Sequence, residues 1–438
     1  MKQVLVLGAG LVSRPLVRYL LDHNFHVKVA SRTVSKADRL INNHPDGSTQ
    51  AWLVDDTAML EDMIKEADLA ISLLPAAYHA VVAELSIKHG KHMVTTSYVS
   101  HDMETLDSKA KQAGVMVLNE IGVDPGIDHM SAMRVIHEVE DKGGKVVSFR
   151  SYCGGLPAPE ANDNPLGYKF SWSPRAVLLA GRNDGRYLEN GKEIYIPGPD
   201  LFSHHWSMHI EGLPELEAYT NRDCLGYIEL YGLQGIPTMF RGTLRYPTWC
   251  DSVKKWVDLG LLSLDERQFK GMTYGDLIRQ LAGGSPGSDI KQDLARFWNT
   301  DINDVAISKL EWLGILGDKP LPFDKGTVLD ALGHVMNEKM PYAPGERDMI
   351  ILHHQFVAQY PDKQEQVTST LIDYGIPGGD SSMARTVSLP AAIGARLVLE
   401  GKITATGVHI PVSPDIYNPV LDELANLNIE CKEKTLPM

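Results

Sequence analysis

The chain has 438 residues, with 42 Lys+Arg against 56 Asp+Glu and a formal net charge of −14. At ~150 residues per domain this length predicts about three domains, and 43% hydrophobic residues with 22% charged exclude wholesale disorder. The acidic balance argues against a general nucleic-acid or anionic-membrane binder, and no apolar run approaches the ~18 residues of a membrane span.

The first apolar run, Val4–Leu7, is ended by Gly8. It is too short for a signal-peptide core, so a cytoplasmic protein is expected. Further apolar runs follow at His26–Ala30, Ala51–Val54, Leu69–Leu74, His92–Thr96 and Val115–Leu118. Amphipathic stretches lie between them: Pro15–Asp22, Leu60–Glu66, His79–His89 and Asp102–Ala113. Near-continuous apolar strands alternating with helices predict a parallel sheet covered on both faces, doubly wound by right-handed crossovers. Asp128 to Lys142 reads as a helix, with Asp128 as N-cap and Gly143-Gly144 as its stop.

A strand-like run, Val146–Tyr152, precedes a Gly/Pro/Asn-rich segment from Gly154 to Gly167, which has the texture of a binding loop. Strands are predicted at Glu193–Ile196, Ile228–Tyr231 and Met239–Leu244. The helical period then takes over at Val253–Leu262, Tyr274–Leu281, Asp289–Phe297, Asp304–Leu313 and Gly326–Met336. Strands return at Met349–His354 and Gln366–Tyr374, and a last helix is predicted from Ser382 to Leu399 with a break or kink at Pro390.

The strongest local signal is the run Val4 to Ser13, a buried strand ending in G-x-G before a helix. Gly8 permits the tight turn, and Gly10 lets backbone approach a pyrophosphate at the helix N-terminus. The third glycine of that fingerprint is Ser13 here. After the second strand the residues are Ser31, Arg32 and Thr33, with no acid. An NAD site usually carries Asp or Glu there, whereas an Arg with hydroxyl neighbours suits a 2′-phosphate. NADP(H) is therefore the expected cofactor, the alternative for Arg32 being a solvated surface charge. Asp55 stands where adenine contacts fall, or else caps the next helix. Leu73 and Leu74 close the fourth strand, either facing the ribose and nicotinamide or simply ending it.

The four cysteines, Cys153, Cys224, Cys250 and Cys431, form no CxxC pair. The adjacent pairs His204-His205 and His353-His354 are poorly placed to share an ion. No metal is expected.

Several uncommon strings accumulate along the chain: Ile71 to Pro75, Val94 to Tyr98, Gly122 to Met130, Ser151 to Glu160, Asn164 to Pro174, Asn221 to Asp223 and Arg241 to Tyr246. Together they resemble the saccharopine dehydrogenases of the L-glutamate-forming type, over nearly the whole chain. The resemblance implies a Rossmann-type doubly wound parallel sheet, an α/β substrate-binding and dimerisation domain, and an inserted all-helical domain. The corresponding bounds are 1–128 with 382–438, 129–250 with 344–381, and 251–343 as a lid. It implies reversible reduction by NADPH of the imine between L-glutamate and 2-aminoadipate 6-semialdehyde, giving saccharopine, in a homodimer of lysine metabolism.

The resemblance further places cofactor contacts on Ala9 to Val12, including Leu11, on Val54, on Val123, Asp124, Pro125 and Gly126, and on Trp172. Substrate contacts fall on Ser97, Tyr98, Asp124, Arg222, Thr243, Leu244 and Arg245. Three ligand carboxylates call for fixed cationic forks, which Arg222 and Arg245 supply, with Lys169 a candidate for the third. Asp124, Cys153 and Tyr98 are the titratable candidates for proton handling; for Cys153 the alternative is a small buried apolar side chain. Two other readings compete: a related imine reductase such as a carboxynorspermidine synthase, and a silent NADP-binding scaffold.

Overall fold

The computed structural model describes residues 1–438. They form two compact units, 1–146 with 352–438, and 147–351.

The first unit opens with β1 (Gln3–Leu7), α1 (Ser13–Asp22), β2 (His26–Ser31), α2 (Val34–Ile41), β3 (Gly47–Ala51), α3 (Thr57–Glu66), β4 (Leu69–Ser72) and α4 (His79–Lys88). It continues with β5 (His92–Thr95), α5 (His101–Glu104), α6 (Asp107–Ala113), β6 (Met116–Leu118) and α7 (Ile127–Asp141). The sheet order is 3-2-1-4-5-6, extended beyond β6 by the short strand Gly407–His409. Every pairing in it is parallel. Strand order reverses between β1 and β4, which makes the C-terminal ends of these two strands the ligand crevice expected of an open α/β sheet. The strands are apolar throughout because helices cover both faces; Val4 to Leu7 are all fully buried.

The chain's return to this unit supplies two helices. Ser382–Leu399 packs against α1, and Arg396 Nε donates to the Tyr19 hydroxyl at 2.7 Å. It runs unbroken through Pro390, so the predicted break does not occur. Buried hydroxyls take up helix carbonyls around it: Thr386 donates to Ser382 O at 2.8 Å and Ser388 to Ala384 O at 2.8 Å.

In the second unit the strands His205–Met208, Leu216–Thr220, Thr238–Arg245 and Lys145–Pro157 lie side by side. The first three are antiparallel neighbours, and the last pairs in parallel with Thr238–Arg245. The helices Trp249–Leu259, Tyr274–Leu281, Ile290–Trp298, Val305–Leu313 and Val328–Lys339 follow. Their starts are written in local chemistry. Thr273 and Asp276 form a reciprocal capping box. Asp289, Asp304 and Thr327 each accept a first-turn N–H.

Four further expectations need correction. The third strand is Gly47–Ala51 rather than Ala51–Val54, because its polar residues pair only with β2 at the sheet edge. Ile228–Tyr231 is not a strand: Ile228 to Leu230 end the helix Gly226–Leu230, and Tyr231 is its C-cap. Asp102–Ala113 is two helices. Asp128 does not cap α7: Gly126 is its N-cap, and the Asp128 carboxylate instead accepts from the N–H groups of Gly126 (2.5 Å) and His129 (2.8 Å).

Candidate active site

In the first unit the candidates gather where β1, β2, β4 and β5 end. Gly8 has φ +111°, and a Cβ there would sit 3.0 Å from the Leu73 carbonyl oxygen, so only glycine fits. Gly10 is different. A Cβ on it would meet no protein atom within 4 Å. Packing does not demand glycine at this position, and the space beside it is open. Ser13 in the third fingerprint position is fully buried. Its hydroxyl accepts from Gly10 N at 3.0 Å and donates to Gly8 O at 3.3 Å, bracing the turn from within. No side chain caps α1, so its first N–H groups are open to an anion. Ala9, Leu11 and Val12 complete this turn, and Leu11 is 71% exposed.

Arg32 is exposed and pairs with no carboxylate of the chain. Ser31 Oγ beside it accepts from Thr33 N at 3.3 Å. The residues thus fit a 2′-phosphate: a free guanidinium, two hydroxyls and no competing acid. Asp55 is exposed, and the helix-capping alternative falls to its neighbour, since Asp56 accepts from Met59 N at 3.0 Å. Val54, Leu73 and Leu74 are half-buried. Leu73 N donates to Leu7 O at 2.9 Å, carrying the ladder one residue past β4.

The loop after β6 holds Val123 to Gly126. Gly126 has φ +147°, and a Cβ there would overlap Gly122 at 2.1 Å. This fold-back seats Asp124 against Tyr98, whose hydroxyl donates to Asp124 Oδ1 at 3.2 Å. Two of the three proton-handling candidates are therefore in contact. Ser97 lies in the same stretch as Tyr98, and its hydroxyl meets His79 Nε2 at 2.8 Å.

Sequence reasoning missed three polar residues that build this floor. His79 is 4% exposed and bridges Ser72 and Ser97. Glu120, 5% exposed, accepts from Val99 N at 2.9 Å and from His129 Nε2 at 2.8 Å. His129 is fully buried. Their partners come from different elements, strand ends for His79 and the β5 end and α7 for Glu120, so no local pattern announces them.

Burial pushes the His79 imidazole down to about 4, and does the same to His353, which also lies in this unit. Each is neutral in the fold but takes a proton in the unfolded chain below its ordinary value of 6.5. Between about 4 and about 6.5 the unfolded state binds more protons, so stability falls as pH drops through that window. Each histidine adds at most about 1.4 kcal/mol per pH unit. Denaturant unfolding at stepped pH is expected to show this slope, and His79→Gln and His353→Gln to flatten it. An unchanged slope in both variants would refute the assignment.

The candidates of the second unit also converge. Cys153 pairs across the ladder with Thr243. Alternation puts Thr243 and Arg245 on one strand face and the fully buried Leu244 on the other. Backbones are close there: a Cβ on Gly154 would lie 2.9 Å from Leu244 Cβ. Arg245 is 7% exposed. Its guanidinium carbon stands 5.1 Å from the ring centre of Tyr168, 5.4 Å from that of Trp249 and 6.0 Å from that of Tyr219. Nη1 donates to Leu244 O at 2.7 Å, but Nε has no partner and no carboxylate of the protein reaches the group. A buried cation in an aromatic cage without an anion is a costly arrangement unless a ligand supplies the anion. Trp172 belongs to this cluster, donating from Nε1 to the Tyr168 hydroxyl at 3.2 Å. Arg222 is exposed on the loop between two strands, where its carbonyl accepts from Arg186 N at 3.3 Å.

Lys169 is not available as a third fork. It is 5% exposed, and its ammonium lies 2.7 Å from Glu346 and 2.9 Å from Asp163. The structure also gathers His205, Glu217 and Cys250 within 4.8 Å of one another. Glu217 is already occupied there, since its oxygens accept from Thr248 N at 3.1 Å and Cys250 N at 2.5 Å and so cap the following helix.

A glycine turn at the switch point of a 3-2-1-4-5-6 parallel sheet, with a free arginine after its second strand, defines a dinucleotide-dependent oxidoreductase of the NADP class. Residues 4–118 match the family model described as saccharopine dehydrogenase NADP binding domain, and residues 122–429 match the saccharopine dehydrogenase C-terminal domain. The chain belongs to the saccharopine dehydrogenase family.

It is similar to the saccharopine dehydrogenase [NADP(+), L-glutamate-forming] of Pyricularia oryzae, at 41% identity over 99% of both chains. The protein of the same name from Schizosaccharomyces pombe is 40% identical over 100% of this chain and 99% of its own. The alpha-aminoadipic semialdehyde synthase of Bos taurus is 37% identical over 97% of this chain but only 46% of its own length. Among solved structures, the apo histidine-tagged saccharopine dehydrogenase (L-Glu forming) from Saccharomyces cerevisiae superposes with TM-score 0.91 at 38% identity, over 100% of both chains.

Proposed function

We propose that this chain catalyses the reversible reduction by NADPH of the imine between L-glutamate and 2-aminoadipate 6-semialdehyde, forming saccharopine. The observation that carries the reading is Arg245, a buried guanidinium that the protein leaves without an anion. A ligand rich in carboxylates fits it, and the relatives of this length carry the corresponding name. NADPH supplies the hydride when bound. The residues of the chain have four tasks. The turn from Gly8 to Val12 and the cation of Arg32 hold the phosphates. Arg245 and Arg222 hold carboxylates, with Thr243 and Ser97 adding hydroxyls. Tyr98 and Asp124 share a hydrogen bond and form the proton-handling pair at the amine. Cys153, on the Arg245 face, lines the substrate and forms no covalent bond, since imine reduction requires none.

The finer assignments belong to the same proposal. The helical segment 251–343 acts as a lid that excludes water during transfer, and the protein works as a homodimer in the cytoplasm.

The test is to mix purified protein and saccharopine with NADP⁺ or NAD⁺ in parallel and follow the absorbance of reduced nicotinamide. Reduction of NADP⁺ with glutamate appearing is the expected result. Cofactor binding without reduction would overturn the substrate assignment and favour another imine.

A further inference from the structure

His79 lies outside the fingerprint turn and outside the assigned substrate contacts, yet it joins two serines through the floor of the first unit. Its Nδ1 is 2.8 Å from Ser72 Oγ and its Nε2 is 2.8 Å from Ser97 Oγ. Ser72 is fully buried at the end of β4. Its carbonyl is taken by Thr95 Oγ1 at 2.9 Å, whereas its hydroxyl touches nothing but His79. Ser97 is half-buried. Its N–H goes to Thr95 Oγ1 at 3.4 Å, and its carbonyl accepts from Glu120 N at 3.1 Å. Its hydroxyl has His79 as its one partner in the protein.

A neutral imidazole has one donor and one acceptor. If Nδ1 carried the proton it would donate to Ser72 Oγ, and the Ser72 hydroxyl hydrogen would be buried with no acceptor. That orphan costs roughly 1–3 kcal/mol. If Nε2 carries the proton, Ser72 donates to Nδ1 and Nε2–H donates to Ser97 Oγ. The Ser97 hydroxyl hydrogen is then the only one of this relay left to give away.

We propose that His79 is a positioning residue: the Ser72–His79 pair fixes the Nε2–H tautomer and thereby leaves the Ser97 hydroxyl hydrogen free for an acceptor group of the substrate, a carboxylate in the reading above. The inference rests on the reading above that Ser97 contacts substrate. It deepens that reading by giving the site a polarity: with Nε2–H donating to Ser97 Oγ, the hydroxyl keeps its own hydrogen for the substrate, which favours a carboxylate at Ser97. Burial keeps the imidazole neutral across the working range, so the polarity does not switch with pH.

The test has two readouts. Nitrogen-15 spectra of histidine-labelled protein, with His79 assigned by its loss in His79→Gln, are expected to show a protonated Nε2 and a bare Nδ1. A protonated Nδ1 would overturn the proposal. Ser72→Ala removes the acceptor constraint without touching the ligand. It is expected to raise the saccharopine KM about threefold to tenfold while kcat and NADP⁺ affinity stay unchanged, and to add nothing in a Ser97→Ala background. An unaltered KM, or an equal rise in that background, would overturn it. A protonated Nε2 in a protein that does not turn over saccharopine would support the tautomer and refute the substrate reading instead.

Discussion

Arg245→Met is expected to lower kcat/KM for saccharopine by about 10²–10³, with the affinity for NADP⁺ unchanged. The guanidinium is buried among Tyr168, Trp249 and Tyr219, where a carboxylate meeting it would be largely desolvated. Removing one partner of such a pair costs about 2–5 kcal/mol, and each 1.4 kcal/mol is about tenfold. Arg245→Lys should recover only part of the loss, because an ammonium lacks the planar fork and stacks less well on the rings. The same variants separate binding from folding. No carboxylate of the protein loses a partner when Arg245 goes, and an unpaired buried charge is replaced by apolar volume. The unliganded Arg245→Met protein is therefore expected to unfold at the same or a higher denaturant concentration than the parent. Activity lost together with stability would mean that Arg245 holds the fold rather than a ligand.

Arg32→Asp is expected to weaken NADPH by about 10² or more and to leave NADH within about threefold. Arg32 is exposed and unpaired, so the substitution removes no internal contact. What it removes is a guanidinium at the end of β2 available to the 2′-phosphate, a charge-assisted interaction of about 1.5–3 kcal/mol. It then adds a like charge at the same place. The ratio of the two cofactor affinities, measured by fluorescence titration of the reduced forms, is the readout. An unchanged ratio would return Arg32 to the surface.

What could be read in advance follows from where the information sits. β1 and β4 are buried on both faces, so Val4–Leu7 and Leu69–Ser72 are legible as apolar runs. The residues Gly47–Ala51 are Gly-Ser-Thr-Gln-Ala at an edge, where one neighbour suffices and neither face must be apolar; nothing in them says strand. Ile228–Tyr231 carries the composition of a strand but forms the end and C-cap of a short helix, a case of tertiary context overriding propensity. The cofactor half of the site is legible because Gly8, Gly10 and Arg32 act at fixed offsets from two strand ends. The polar floor is not. His79 meets Ser72 and Ser97 because parallel strands end at one level, and Glu120 meets Val99 and His129 because the loop after β6 lies between the end of β5 and α7. Pairing across a sheet has no sequence period. Lys169 misled for a related reason: of the two carboxylates that neutralise it, Asp163 lies close by in the chain but Glu346 is 177 residues away.

The chain leaves its first unit after residue 146 and returns to it at 352. The long helix that backs α1 and the strand that completes the parallel sheet are thus among the last pieces to be synthesised. As the polypeptide emerges, the nucleotide-binding half begins first and closes last, after residues 147–351 have been made. During that interval the apolar flank of α1 waits uncovered. Nascent chains halted before residue 382 are the ones expected to need a chaperone.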